Sequence, residues 1–540
     1  MTEFIIANMA PIIFISMIFF LLVGFPVAFA LAANGVVFGL LGIELGLIGP
    51  QIFQAMPDRI FSVMANETLL AVPFFTFMGL ILVRSGMAED LLDTVGQLFG
   101  PVRGGLAYAV IIVGAMLAAT TGVVAASVIS MGLISLPIML RYGYDHRLAS
   151  GVIAASGTLA QIIPPSLVLI IMADQLGRSV GDMYKGAFIP GFVLTGLYIC
   201  YVVTLSFFRP KWVPALPPEA RTFREPDGSS GGKSLIVLAI IAFASGIAFA
   251  KTRPADAHLD EVIIVSIVVG IGVPFVIAMI NRVMKLGLLS AMAEKVTFVL
   301  IPPLGLIFLV LGTIFLGVAT PTEGGAMGAT GALGMALLRK RLNMQLLKQA
   351  MESTTKLTTF VLFILIGARV FSLTFYAVDG HLWVEHLLVS LPGGQMGFLL
   401  VVNLLIFVLA FFLDYFELSF IIVPLLAPVA DKMGIDLIWF GVLLAINMQT
   451  SFLHPPFGFS LFFLRSVAPP TVKTSEIYWG AIPFVFIQIL MVGLVIVFPQ
   501  MVTFGLDKTV AVDLDSIKIE VPDYDYSTPP PLELPSEQPK

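Results

Sequence analysis

Cysteine and charge are the two things this sequence has least of. Cys200 is the only cysteine among 540 residues, so an internal disulfide and a cysteine metal cluster are both excluded. Charged residues make up 12% of the chain, about half the share found in ordinary soluble proteins. The sequence also has no block of Lys and Arg that could neutralise a row of phosphates, which argues against nucleic acid as a partner.

Enzyme signatures are missing as well. GGKS at 231–234 imitates the end of a phosphate-binding loop, but Asp227 occupies the position of the first glycine and no predicted strand precedes it. His381 and His386 are five residues apart and lack a clear third ligand, so we predict no transition-metal site. We therefore expect a protein that is not an enzyme, that holds no cofactor and that draws no energy from ATP.

Apolar residues dominate instead, at 58% of the chain, and the mean hydropathy is +1.01. About 20 apolar residues suffice to cross a bilayer, and such stretches recur along the chain, which predicts an all-α polytopic membrane protein with about 11 to 15 membrane elements. The first apolar run, from Met9 to Leu31, has no basic segment before it and is too long for a signal-peptide core, so we expect an uncleaved span. Amphipathic stretches at 51–66 and 87–100 suit helices that lie in the interface.

Two hydrophilic segments divide the chain. Residues 209–233 are rich in proline, glycine and charge and predict a loop, and the acidic, proline-rich end predicts a disordered tail. The expected organisation is a first repeat half at 1–208, the loop at 209–233, connecting transmembrane helices at 234–295, a second repeat half at 296–505 and the tail at 506–540.

An internal repeat relates the two halves. The segment 133–166 aligns without gaps with residues 424–457, which contain LLAPVADKMGIDLIWFGVLLAINMQTSFLHPPF, at a constant offset of 291 residues. The offset matches Pro137 with Pro428, Gly143 with Gly434, Asp145 with Asp436, Ala154 with Ala445, Pro164 with Pro455 and Pro165 with Pro456, while Pro26 matches Pro321 at an offset of 295. Duplicated halves with helices broken at matching places are typical of secondary transporters. The alignment does not fix the relative orientation of the halves, but that class of protein leads us to expect inverted halves.

A double proline interrupts an apolar run in each half. Proline removes a backbone donor and clashes with the preceding turn, so each pair breaks its helix and frees carbonyl groups inside the membrane. An unpaired carbonyl oxygen in the hydrocarbon core costs roughly several kcal/mol of free energy unless a protein group, a water or an ion binds it. Na⁺ is an ion that binds carbonyl oxygens. The predicted ion or substrate ligands are Ser156, Gly157, Thr158, Gln161, Pro164 and Pro165 in the first half and Asn447, Gln449, Thr450, Ser451, His454, Pro455 and Pro456 in the second. The alternative is a packing kink in which the hydroxyls bond to their own helix.

Asp414 and Glu417 lie inside the apolar run 397–430, where a carboxylate costs roughly 2.5 kcal/mol or more. We expect Asp414 and Glu417 to bind or couple a cation; the alternative is a hairpin tip that reaches water. Arg369 is the only basic residue of its apolar stretch. It could meet a substrate carboxylate, pair with an intramembrane acid or extend to the interface.

The segment ATPTEGG offers another candidate for ligand contact, formed by Thr320, Pro321, Thr322 and Glu323. Its glycines let backbone approach a ligand closely. The same residues also fit the start of a capped helix, because threonine is a favoured N-cap residue and proline is a favoured first helical residue.

Several ordered motifs resemble one membrane protein family. GLISLPIMLRYGYDHRLASGVIAASGTLAQIIPPSLVLII, ATPTEGGA, GFPVAFAL and NMQTSFLHPPFGFSLFFLRSVAP are similar to the large membrane (M) subunit of tripartite ATP-independent periplasmic (TRAP) transporters, across residues 5–505. FFLDYFELSFIIVPLLAP and QTSFLHPPFGFSLFFLRSVAP look most like the branch labelled mannitol or chloroaromatic, which also resembles carriers of 2-oxo acids and lactate.

This resemblance implies Na⁺-coupled import of a small organic acid across the bacterial inner membrane by an elevator-like motion. It also implies two protein partners, a small membrane subunit and a periplasmic binding protein. The family's ion and substrate region falls on Thr121 and Gly122, on Ser156 to Pro165, on Thr320 to Glu323, on Asp414 and on Asn447 to Pro456. A passive channel and a carrier that needs no binding protein stay open as alternatives, and the sequence names no substrate.

The resemblance has one departure, at the first hairpin tip. Many relatives have Ser-Gly-Ser-Ser there, and this chain has Thr121, Gly122, Val123 and Val124. Two hydroxyls are therefore missing. A sodium site at this tip would depend on backbone carbonyls, on Thr121 and on Ser127.

Overall fold

The structure is a computed structural model that describes residues 2–221, 231–254 and 259–506. Within these ranges the chain forms helices and no strand, which confirms the all-α prediction. The α-helices are α1 Thr2–Ala7, α2 Met9–Val23, α3 Val27–Glu44, α4 Met56–Met64, α5 Ala71–Arg84, α6 Met87–Phe99, α7 Gly105–Thr121, α8 Val124–Arg141, α9 His146–Thr158, α10 Leu167–Leu176, α11 Val180–Phe208, α12 Gly232–Lys251, α13 Leu259–Met284, α14 Ala291–Phe315, α15 Pro321–Leu338, α16 Met344–Ala377, α17 Gly380–Val389, α18 Gly394–Leu409, α19 Tyr415–Ile421, α20 Val423–Lys432, α21 Leu437–Met448, α22 Phe459–Val467, α23 Thr474–Val497 and α24 Gln500–Thr503.

Nine helical segments of the described ranges are long and apolar enough to cross a membrane, and α17 with α18, bent by 117°, could form a tenth. Shorter apolar helices, α2, α7, α10 and α21, lie among them. The chain is therefore a multi-pass membrane protein, as its composition predicts. α4 and α6 occupy the two stretches expected in the interface and are not among these spans.

The first apolar run is not one continuous span, so the prediction of a single span is wrong, while the absence of cleavage stays a prediction. α2 ends at Val23, and Gly24 adopts a φ of 89°, a conformation that glycine reaches without strain. The N–H groups of Gly24 and Phe25 then turn back to the carbonyls of Leu21 and Phe20. Pro26, which has no N–H to donate, follows directly, and α3 begins after it.

The repeat is visible helix by helix. At the offset of 291, α8 corresponds to α19 with α20, and α9 corresponds to α21. Short 3₁₀ turns, Leu159–Gln161 and Gln449–Phe452, extend α9 and α21 at their breaks. Further matched features are the positive φ of Gly143 (80°) and Gly434 (72°), the carboxylate N-caps Asp145 and Asp436, and the cis peptide bonds Pro164–Pro165 and Pro455–Pro456. The halves thus share local structure as well as sequence, while their inversion stays a prediction.

Each broken helix packs into the opposite half. α10 contacts α19, α20 and α21, and α22 contacts α8 and α9. The Tyr415 hydroxyl donates to the Val168 carbonyl across this boundary at 3.1 Å. The regions of both breaks are therefore built from both halves of the chain.

Candidate functional site

The two helix breaks meet at the centre of the repeat. Thr158 and Gln449 are equivalent by the offset of 291, and Gln449 Nε2 donates to Thr158 Oγ1 at 3.0 Å. Both side chains are fully buried. Because a contact between equivalent residues lies where the two copies of the repeat face each other, the segments predicted from separate double prolines form one site.

Two residues that sequence reasoning missed complete this polar cluster. Gln488 of α23 donates through Nε2 to the Tyr198 hydroxyl of α11 at 3.0 Å, and the same Nε2 lies 3.5 Å from Thr158 Oγ1. Gln488 and Tyr198 are both fully buried. The available signal was Gln488 itself, a polar residue in the middle of an apolar span, since such residues usually face the protein interior.

The first hairpin consists of α7 and α8, and its tip lies on the break of its own half. Gly122 ends α7 with a φ of 56°, and a Cβ atom there would be 2.9 Å from Leu167 Cγ, just beyond the double proline. Behind the tip, Gly157 of α9 packs against Val128 of α8, and Ser127 is buried beside it. The side chain of Thr121 lies outside the part of the chain that the structure describes.

Gly122→Ala should slow transport because the new Cβ meets Leu167 and the residue is held at positive φ, which costs roughly 1 kcal/mol or more for alanine. We expect at least a several-fold lower uptake rate in reconstituted vesicles. Gly143→Ala is the matched control: its φ is 80°, but no atom lies within 4 Å of its Cβ position. Equal uptake by the two variants would mean that backbone strain alone, not the contact between tip and break, accounts for the effect.

The second hairpin tip, between α18 and α19, lies on the second break in the same way. The imidazole of His454 stacks on the ring of Phe411 with centroids 4.1 Å apart and meets Phe407 edge-on at 4.5 Å. Phe412 of the tip also contacts Phe457, one residue beyond the second double proline. Each half therefore presents one hairpin tip closed over one break.

Asp414 caps α19 at this tip. Its carboxylate accepts the Glu417 N–H at 2.8 Å, and the Glu417 carboxylate accepts the Asp414 N–H at 2.8 Å. Both side chains are half-buried. Glu417 also borders a cavity of ≈ 310 Å³ walled by residues 24–29 of the α2–α3 turn and by Phe360 and Phe363 of α16. Two carboxylates thus stand together at the second tip, beside the repeat-matched Pro26.

Some oxygens around the breaks fit a packing kink, in which hydroxyls bond to their own helix, and others fit a ligand site. Thr158 and Thr450 hydroxyls donate to carbonyls three residues earlier on their own helices, as expected for a packing kink. Equivalent carbonyls of Gln161 and Phe452 accept hydroxyls from Ser166 and Ser460. The protein therefore satisfies some of the groups that the breaks expose.

Other buried oxygens are left for a ligand. Asn447 makes its hydrogen bonds to Asn403, through the carbonyl at 2.7 Å and the side-chain oxygen at 2.9 Å. In contrast, the side-chain oxygens with no hydrogen-bond partner among the described residues include Ser156 Oγ, Gln161 Oε1, Gln449 Oε1, Ser451 Oγ and Gln488 Oε1. A buried oxygen without a partner is costly, so water, an ion or a substrate group would be stabilised there.

The ATPTEGG segment forms the start of α15. Thr320 Oγ1 accepts the Glu323 N–H at 3.3 Å and Glu323 Oε2 accepts the Thr320 N–H at 2.8 Å, which is a reciprocal helix cap. Thr322 donates to the Glu67 carbonyl at 2.7 Å. The turn that begins at Glu67 contacts α10, so this segment, with Pro321 at its helix start, reaches the first break only indirectly.

Arg369 lies in the C-terminal third of α16, whose main neighbours are α3 and α5. Its side chain is half-buried, and Nε makes no hydrogen bond to the described residues. α16 also contacts α19, the helix that Asp414 caps. These contacts do not place Arg369 at the polar cluster of the two breaks.

Comparison with known proteins gives a family for this architecture. The profile of the family described as "Tripartite ATP-independent periplasmic transporter, DctM component" matches residues 14–501. The C4-dicarboxylate TRAP transporter large permease protein DctM of Pseudomonas aeruginosa is 28% identical over 457 residues, which cover 84% of this chain and 88% of that protein. The sialic acid TRAP transporter permease protein SiaT of Haemophilus influenzae is 23% identical over 454 residues, 84% of this chain and 62% of that protein. Among solved structures, the Alcanivorax borkumensis YdaH transporter aligns with a TM-score of 0.45 and 15% identity over 83% of this chain and 88% of that one.

Proposed function

The chain belongs to the DctM component family of tripartite ATP-independent periplasmic transporters, and we propose that it carries a small organic acid across the membrane with Na⁺ as the coupling ion. Membership makes it a transport protein and not an enzyme. It is the large component of a three-part system in the bacterial inner membrane, and its partners are a small membrane component and a periplasmic binding protein.

The observation that carries the proposal is the hydrogen bond between Gln449 and Thr158. It joins the two broken helices at equivalent residues, beneath two hairpin tips that are themselves equivalent. In secondary transporters built from repeats, substrate and ions bind at such a junction while one unit moves against the other. We place the substrate between the halves, beside this hydrogen bond, and infer an elevator-like motion of the hairpins and broken helices.

Sodium coupling is supported by the oxygen ligands that the site can offer to a cation. Hard cations prefer oxygen ligands, and the junction offers oxygens on Ser156, Gln449 and Ser451 that have no hydrogen-bond partner in the described part of the chain. At the second tip, Asp414 adds a negative charge that would balance a cation. The first tip has Val123 and Val124 in place of hydroxyl residues, so its cation would depend mainly on backbone carbonyls.

The substrate class is supported by what the relatives are named for. One is named for C4-dicarboxylates and another for sialic acid, and both names denote carboxylates. We propose a carboxylate such as a 2-oxo acid or a hydroxy acid. The assignment to the mannitol or chloroaromatic branch stays a prediction.

Transport assays with all three components test the proposal. The chain is reconstituted with its small membrane component in proteoliposomes, and the binding protein is added with radiolabelled pyruvate, lactate or succinate outside. A tenfold inward Na⁺ gradient stores about 1.4 kcal/mol per ion, so one coupled ion should drive about tenfold accumulation of substrate.

The alternatives give different results in the same assay. Equal uptake under K⁺ and Na⁺ gradients, without accumulation, would indicate a passive channel. Accumulation that persists without the binding protein would indicate a carrier that needs no such partner. Our proposal requires that both Na⁺ and the binding protein be present.

A further inference from the structure

An apolar groove of ≈ 450 Å³ runs between α12, α13 and α14, away from the two breaks. Among its lining residues only Ser266 and Thr297 carry polar side chains. Phe243 and Ile247 of α12 line the groove and are 76% and 53% exposed, so its edge opens away from the protein. Because all three helices qualify as membrane spans, that edge faces the hydrocarbon of the bilayer.

The dimensions of the groove suit an acyl chain. Its lining on α12 extends from Leu235 to Ile247, about 18 Å along the helix axis. Half of the roughly 30 Å hydrocarbon core is about 15 Å, so the groove is one leaflet deep.

Basic residues gather at the end where the groove begins. The α13–α14 turn docks on the start of α12, because Ser290 N–H donates to Ser234 Oγ at 3.1 Å and Ser290 Oγ donates to the Gly231 carbonyl at 2.9 Å. This contact brings Lys233 of α12 to the same end as Arg282 of α13 and Lys285, which directly follows α13, and all three are exposed.

The acidic neighbours at this end have partners of their own. Glu294 accepts a hydrogen bond from Asn281 at 2.6 Å, and Asp93 pairs with Lys295 at 2.8 Å. The guanidinium of Arg282 lies over the ring of Phe298, 4.9 Å from its centroid, which holds it beside α14. A cluster of basic residues at the end of a groove between membrane helices is the arrangement that recognises an anionic lipid headgroup.

We propose that this groove binds an anionic phospholipid, with one acyl chain between α12, α13 and α14 and the phosphate at Lys233, Arg282 and Lys285. The lipid would fill the contact between the α12–α13 hairpin and the rest of the protein. α12 needs such a contact, since Leu238 is its only fully buried residue. The proposal concerns a surface remote from the transport site and does not depend on Na⁺ coupling or on the identity of the substrate.

Native mass spectrometry of the purified full-length chain tests it, with phosphatidylglycerol and phosphatidylcholine of identical acyl chains as probes. We expect one phosphatidylglycerol to be retained in preference to phosphatidylcholine. The combined variant Lys233→Gln, Arg282→Gln, Lys285→Gln should weaken that binding by about a hundredfold and weaken phosphatidylcholine binding much less, because choline offsets the charge of its phosphate. Ala239→Phe, which fills the groove at an already exposed position, should reduce the retention of both lipids.

The matched control removes three positive charges from other exposed positions, with Lys348→Gln, Lys356→Gln and Lys432→Gln, and should bind lipid as the wild type does. Equal retention of the two lipids by the wild type would overturn the proposal. So would undiminished phosphatidylglycerol binding by either groove variant. If Ala239→Phe instead prevented copurification of the small membrane component and left lipid binding intact, the groove would be a protein interface and the lipid proposal would be wrong.

Discussion

Asp414→Asn should abolish Na⁺-driven uptake and leave the protein folded. Asparagine caps a helix about as well as aspartate, so α19 keeps its start and the hydrogen bond from the Glu417 N–H. What the variant loses is the negative charge at the second hairpin tip. The coupled cation would lose the charge that balances it, so we expect uptake to fall at least about a hundredfold, or about 2.8 kcal/mol, in the three-component proteoliposomes.

Asp436→Asn is the control for this experiment. Asp436 also caps a helix, accepting the Trp439 N–H at 2.7 Å at the start of α21, but it is exposed and lies at the opposite end of α21 from the break. It should transport at the wild-type rate with an unchanged melting temperature. If Asp414→Asn did the same, the carboxylate would be a helix cap only and its assignment to cation coupling would be wrong.

The breaks themselves could be predicted from sequence because their cause is local. A double proline disrupts a helix whatever surrounds it, and the constant offset of 291 identifies the second break from the first. Local sequence patterns did not predict the contact of Thr158 with Gln449. That contact depends on how the two halves pack, which the offset by itself does not determine.

Gln488 and Tyr198 could not be assigned to the site for a related reason. They are 290 residues apart in the chain, and both lie in helices that are apolar along most of their length. In a helix of a soluble protein, the apolar residues lie on one side, and that side is buried. In a membrane-spanning helix most residues are apolar on all sides, so their pattern does not show which side faces the protein interior. The polar Gln488 marks one side of α23 as the inward side, but no sequence feature identifies Tyr198 of α11 as its partner.

Two segments show how one local pattern fits two structures. The run from Met9 to Leu31 meets the length criterion for a span, yet Gly24 and Pro26 divide it, and those residues are ordinary signals for a turn. At Thr320 and Glu323 the sequence allowed a ligand contact or a helix cap, and the structure contains the cap. A cap does not by itself prevent ligand contact, so that assignment stays a prediction.

A close contact between the backbones of two helices supports the first break. α9, which leads into the break, packs on α23 at Gly151 and Gly480. A Cβ atom on Gly480 would lie 2.0 Å from the Arg147 carbonyl oxygen and 3.1 Å from the Gly151 nitrogen. These neighbours are backbone atoms of a buried helix, so no rotamer change can relieve the overlap.

Gly480→Val should therefore prevent folding of the transporter. α23 would have to move away from α9, and the cluster of Gln488 with Thr158 would separate, a loss we expect to exceed about 4 kcal/mol. The measurement is the yield of monodisperse protein after detergent extraction. Gly493→Val makes the same change in the same helix with no atom within 4 Å of the new Cβ, and it should extract like the wild type. A well-folded, transporting Gly480→Val protein would mean that the backbone contact with α23 does not hold the first break in place.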